Sequence, residues 1–166
     1  MPYKSPAVPF NVLPYITPMS ITKKLHTSCL GIIPLVVPKG NRKEMHLTLQ
    51  SRKVGTPFKE SFRGLALQTA RAMEDKKVLL ITSTAEDEGV STVAQNLAEA
   101  LEEQGKKVIL LKAQSQKAVQ LRDAGEDVDY VLIDAPAGLD DGLAIALGGA
   151  DEVILVITPE FSSIRD

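Results

Sequence analysis

The chain has 166 residues, room for one domain with a real core and too few for two. Hydrophobic residues make up 44% and charged residues 24%, which fits neither a disordered nor a membrane-spanning composition. The net charge of -2 hides an asymmetry, because residues 1–59 carry nine Lys and Arg against one acid, Glu44, and the remainder is acidic.

Residues 1–28 are rich in Pro, Ser and Thr without a steady period, so the sequence predicts a basic tail with little fixed structure. Pro6, Pro9, Pro14 and Pro18 interrupt its apolar stretch and argue against a signal peptide. No run is long enough to cross a bilayer, and the single cysteine, Cys29, favours a reducing compartment. A cytoplasmic location is expected, with the inner-membrane periphery as the variant. Residues 29–55 read as an extended connector, in which 30–37 (LGIIPLVV) is held to an edge or bend by Pro34.

The regular domain is expected over 56–166. Thr56 is placed to cap a helix, Pro57 suits its first turn, and Glu60 faces the positive end of its dipole. Phe58, Phe62, Leu65, Ala66, Thr69, Ala70 and Met73 then share one helical face. Residues 77–82 (KVLLIT) form an apolar run of strand length, suited to a strand covered on both faces. From Ser91, the stripe Val93, Ala94, Leu97, Ala98, Leu101 predicts a helix that Gly105 ends. Further strands are predicted over 107–111, 130–134 and 152–158, and helices over 113–124 and 139–147. This alternation predicts an α/β fold: three layers, a mostly parallel sheet, helices on both faces.

Between the first strand and its helix lies the segment ITSTAEDEGVST (81–92). A strand, a glycine-bearing turn and a helix make a phosphate-binding loop: backbone N–H groups surround the phosphates, a Lys neutralises them, and a Ser or Thr holds Mg²⁺. Gly89, Ser91 and Thr92 stand where that arrangement needs them.

The segment 77–111 resembles the ATP-binding start of bacterial tyrosine autokinases of capsular and exopolysaccharide biosynthesis, and of MinD/ParA ATPases. Residues 30–34 (LGIIP) and 60–63 (ESFR) resemble the stretch that precedes the domain in the autokinases, and 129–166 resembles MinD. The resemblance implies a P-loop NTPase-like fold, ATP with Mg²⁺ as cofactors, Ser91 and Asp134 as metal contacts, and Asp134 as a Walker-B-like catalytic residue. Read without it, Asp134 simply caps the turn at Pro136 and Gly138.

The departures are chemical. Val90 stands at the family's loop lysine, Ala85 at the second lysine of MinD-type loops, and Glu86 and Asp87 at the mid-loop glycines. Thr84, Ala85, Glu86, Asp87, Glu88 and Val90 thus make a degenerate phosphate loop. Each like-charge pair near 4 Å costs about 1 kcal/mol in water. The missing lysine removes a contact worth roughly 1.5–3 kcal/mol. Lys112 stands where the family's second strand carries an acid. Compared with the family, 112–134 is short enough that a γ-phosphate-sensing switch is expected to be absent, and the end at Asp166 gives the expectation of a truncated domain. Tyr3, Tyr15 and Tyr130 form no cluster of the autokinase-tail type.

Other constellations are weaker. Glu60 and Arg63 begin an autokinase assembly motif, Glu-x-x-Arg-x-x-Arg, which Ala66 breaks, so an ion pair along the helix is the simpler expectation. The run 86–88 offers oxygens to a divalent cation, although acids on a turn are commonly just solvated. His26 and His46 have no ligand partners in spacing and read as surface residues. The expectation is a binding or regulatory module with weak or no hydrolysis, acting through a protein partner or a homo-oligomer. Its alternatives are a working ATPase or tyrosine autokinase, a MinD-like positioning ATPase fragment, and a decayed frame. The basic arm suits an anionic membrane surface, with a solvated tail as the simplest outcome and nucleic acid disfavoured.

Overall fold

Four apolar runs become four parallel strands in the computed structural model, which describes residues 18–36, 47–112, 127–135, 137 and 147–158. They are β1 (Val78–Ser83), β2 (Val108–Lys112), β3 (Tyr130–Asp134) and β4 (Glu152–Val156), in the order β2-β3-β1-β4. Among the described residues, the helices α1 (Pro18–Leu25), α2 (Thr56–Ala72) and α3 (Val90–Glu103) accompany them, and residues 147–149 are helical as well. The chain has an α/β fold. The helices predicted over 113–124 and 139–147 lie outside the described residues, apart from Leu147.

Alternate residues of the strands enter two different cores. Leu79, Ile81, Tyr130, Leu132 and Ile154 pack with α2 and α3, whereas Val78, Leu80, Leu111, Val131, Ile133 and Ala135 form a second cluster on the opposite face. Every residue of β1 and β3 is buried, as the continuous apolar runs require. Asp151 accepts the N–H groups of Lys77 (3.0 Å) and Val78 (2.8 Å), and Asp129 accepts that of Lys107 (2.8 Å). Each aspartate precedes its own strand and fixes the start of a neighbouring one.

α3 ends as its sequence predicts. Gly105 adopts φ 81°, its N–H donates to the Glu102 carbonyl (2.9 Å), and the Lys106 N–H donates to that of Leu101 (3.1 Å). This is a Schellman closure, and only glycine meets it without strain.

Four expectations need correction. Gly55, not Thr56, is the N-cap of α2, and Pro57 occupies the first turn. Glu60 lies beyond that turn and pairs with Arg63 instead of the helix dipole. Within the segment read as unstructured, Pro18–Leu25 is helical: Pro18 needs no N–H partner at a helix start, and Thr22 Oγ1 donates back to its carbonyl (2.9 Å). The later connector is also part of the body. Leu49 and Val54 are buried in the α2–α3 core, with Leu30, Ile33, Val36 and Leu47 against it. Asn96, fully buried, donates to the Leu47 carbonyl (2.6 Å), and Glu99 accepts the Leu49 N–H (3.0 Å).

Candidate functional site: the loop after β1

The loop starts at the C-terminal end of β1, beside the C-terminal end of β3, where open α/β sheets place their ligands. Ile81 is in register with Asp134, and Asp134 with Lys112 on its other side. Asp134 is 7% exposed at the end of a fully buried strand. Alternation along the strands turns Asp134 and Lys112 to the face that carries α3.

Two residues of the turn take left-handed backbone conformations: Asp87 with φ 61° and Gly89, the N-cap of α3, with φ 83°. Asp87 occupies a position at which the resembled family has glycine, so the turn keeps a glycine-type conformation under an aspartate. Ser91 and Thr92 lie in the first turn of α3, Ser91 exposed and Thr92 half-buried. Thr84, Ala85, Glu86 and Asp87 are exposed.

The residue at the lysine position does something else here. Val90 is 9% exposed and belongs to the core between the sheet, α2 and α3. The three acids also separate. Glu86 and Asp87 face solvent, but Glu88 folds back into the turn. Its Oε2 accepts the Ala85 N–H (3.1 Å) and faces Thr84 Oγ1 at 3.5 Å, while Oε1 accepts the N–H of Thr158 (3.0 Å), just beyond β4. Ser83 Oγ closes the turn from below, donating to the Ala85 carbonyl (2.7 Å).

Rather than adding to the repulsive charge expected of 86–88, Glu88 closes the turn. A detectable signal was the spacing: a carboxylate three residues after a backbone N–H is how a capping-box Glu reaches back. No group of three or more potential metal-ligating His, Cys, Asp or Glu occurs among the described residues. Ser91 and Asp134 would hold Mg²⁺ if it entered with a nucleotide, and that cation would supply phosphate neutralisation; Lys112 in register with Asp134 opposes it electrostatically.

Elsewhere, Arg63 is engaged inside the chain, with Nε on Glu103 (3.0 Å) and Nη1 on Glu60 (2.7 Å). Glu103 first, then Glu60, raises its pKa above the ordinary value. In the broken assembly motif Glu60 thus pairs with Arg63 along α2, Arg63 also reaches Glu103 on α3, and Ala66 is buried. A cavity of about 230 Å³, lined by Leu30, Thr69, Met73, Leu79 and Ile154, opens near the start of β1 and α2's end, away from the loop. No helix among the described residues is long and apolar enough to cross a membrane. His26 is exposed, and His46 lies outside the described residues.

This architecture, a central β1 running through a turn into α3 with a buried aspartate on the adjacent strand, is that of a P-loop NTPase domain. No family model matches the chain. It is 46% identical over 46 residues to the septum site-determining protein MinD of Bacillus subtilis, covering 28% of this chain and 17% of that protein. It is 50% identical over 46 residues to an uncharacterised ATP-binding protein of Methanocaldococcus jannaschii, covering 28% and 18%. The chain therefore spans less than a fifth of these relatives' length. Among solved structures, it superposes on the kinase domain of the Escherichia coli tyrosine kinase ETK with a TM-score of 0.68 at 16% identity, covering 85% of this chain and 83% of that one. The BceF tyrosine kinase domain gives 0.67 at 19% identity, covering 87% and 88%. The chain is a relative of the MinD/ParA-like P-loop ATPases, and its fold is that of the bacterial tyrosine kinase domains.

Proposed function

We propose that this chain is a P-loop ATPase-like protein that has lost hydrolysis and works as a binding or regulatory module. One observation carries the reading: the lysine position is Val90, whose side chain is buried in the core rather than free to meet a phosphate. Lys112 beside Asp134, in place of an acid, points the same way. Such a module acts by associating with an active relative or a second copy. The exposed apolar side chains of Ile32 (58%), Leu35 (83%) and Leu67 (47%) support a protein partner. The resemblance to the tyrosine autokinases of polysaccharide biosynthesis and to MinD, a septum site-determining protein, makes polysaccharide synthesis and positioning the two candidate settings, on the cytoplasmic side.

Calorimetry with ATP and Mg²⁺ tests the reading. We expect a dissociation constant no tighter than about millimolar, since the lysine contact alone is worth roughly 1.5–3 kcal/mol. A micromolar constant that Gly89→Asp abolishes would establish a working nucleotide site and sink the proposal. The second reading, an ATPase with an unusual loop, draws on Asp134 and on the glycine-type turn at Gly89.

The basic arm calls for its own measurement. With no Trp in the chain, it lacks the strongest interfacial anchor. We expect no more sedimentation with anionic vesicles than with neutral ones at physiological salt. Anionic-specific pelleting that weakens with salt, and loses about 1 kcal/mol for each Lys or Arg removed, would make the arm an anchor. The truncated control should start no later than residue 29, because Leu30, Ile33 and Val36 as well as 47–54 dock on the core.

A further inference from the structure

We infer that the phosphate loop of this chain is occupied by an anion of its own, the Glu88 carboxylate, which locks the turn to the chain leaving β4. The inference rests on the reading of 84–89 as a phosphate-type loop, and adds what fills it.

The geometry separates this contact from ordinary helix capping. In a capping box the carboxylate reaches back to the N-cap's own N–H while the N-cap side chain answers it. Here the N-cap is Gly89, which has no side chain, and Glu88 precedes it. The carboxylate uses each oxygen on a different element. Oε2 takes the Ala85 N–H inside the turn, and Oε1 takes the Thr158 N–H, 70 residues away in sequence. Two backbone N–H groups converging on one anion is the way a phosphate oxygen is held in such loops. Charge-assisted bonds of this kind are among the stronger hydrogen bonds of a protein.

Three consequences follow. An external phosphate must displace Glu88 before it reaches the Ala85 N–H. The turn and the segment after β4 open together, because one side chain holds both. Val90 is buried in the core, so the Ala85 and Thr158 N–H groups, not a cation from that position, meet the carboxylate.

Amide hydrogen exchange by NMR on the full chain reads the two bonds separately. In Glu88→Ala, exchange at both Ala85 and Thr158 should speed up by about tenfold or more, as expected for loss of hydrogen bonds to a charged acceptor. Glu88→Gln keeps one acceptor oxygen, so only one of the two amides should be released. Pyrophosphate should slow the Ala85 amide in Glu88→Ala and leave the parent unchanged. Unchanged exchange at either amide in Glu88→Ala overturns the lock. Equal protection by pyrophosphate in both proteins, or in neither, overturns the claim that the carboxylate fills an anion site. Unchanged exchange at residues of β1 and β3 shows that the variant is folded. Tight ATP binding by the parent would refute loss of nucleotide function, whereas unaltered amides refute only the lock, so the two failures are distinguishable.

Discussion

Phe62→Ala is expected to destabilise the protein by about 3–5 kcal/mol, the usual cost of emptying a buried aromatic site. Phe62 is 0% exposed in the core that joins α2 to α3, and its ring lies 4.9 Å from that of Phe58, tilted by 58°. Aromatic content is low, so neighbouring Val, Leu and Ala side chains cannot refill the volume without moving a helix. For a chain of this size each kcal/mol shifts the melting temperature by about 2–4 °C, giving a fall of roughly 6–20 °C. Leu67→Ala is the control: the residue is 47% exposed on the same helix and should change stability by no more than about 0.5 kcal/mol. Equal denaturation midpoints for the two variants would mean that α2 does not pack as described. The consequence reaches the loop, because α3 carries the turn at its N-terminus and rests on Phe62's helix.

The strands were legible because each is a short, nearly unbroken apolar run bounded by turn residues. Tyr130–Asp134 matches its expected bounds, and β1, β2 and β4 differ by one or two residues at their ends. The order β2-β3-β1-β4 was not legible, since identical runs pair equally well in several orders and only the packed structure selects among them. Residues 47–54 looked like polar linker because just Leu47, Leu49 and Val54 are apolar there. Their docking depends on Asn96 and Glu99, which lie nearly fifty residues away and give no local signal.

The site divides along the same line. Its position could be read from a strand, a glycine and a helix in sequence, and Gly89 does begin α3. The bond from Thr158 to Glu88 could not, because Thr158 approaches only after β4 has paired with β1. The Lys112–Asp134 adjacency likewise depends on register between β2 and β3.

Rebuilding the loop with Glu86→Pro, Asp87→Gly and Val90→Lys should let ATP-Mg²⁺ raise the melting temperature of the variant but not of the parent. Asp87 already has φ 61°, so glycine enters a conformation it favours. Glu86 is exposed, so removing its side chain leaves the core intact. The restored lysine contributes roughly 1.5–3 kcal/mol to phosphate binding. Each removed carboxylate relieves about 1 kcal/mol if it would lie near 4 Å from a phosphate. Together these correspond to an affinity gain of about a hundredfold or more. Val90→Lys has an opposing effect, since it takes a 9% exposed residue out of the α3 core and leaves an aliphatic stem that must turn its ammonium toward the loop. The ligand-free melting temperature of the triple variant should therefore lie below the parent's, and the ligand-induced shift must be measured from that lower baseline. A shift in the rebuilt protein alone places the defect in the loop. No shift in either protein would leave two obstacles, Glu88 still seated on the Ala85 and Thr158 N–H groups and Lys112 beside Asp134, and adding Glu88→Ala and then Lys112→Asp to the rebuilt loop would be the changes expected to restore binding.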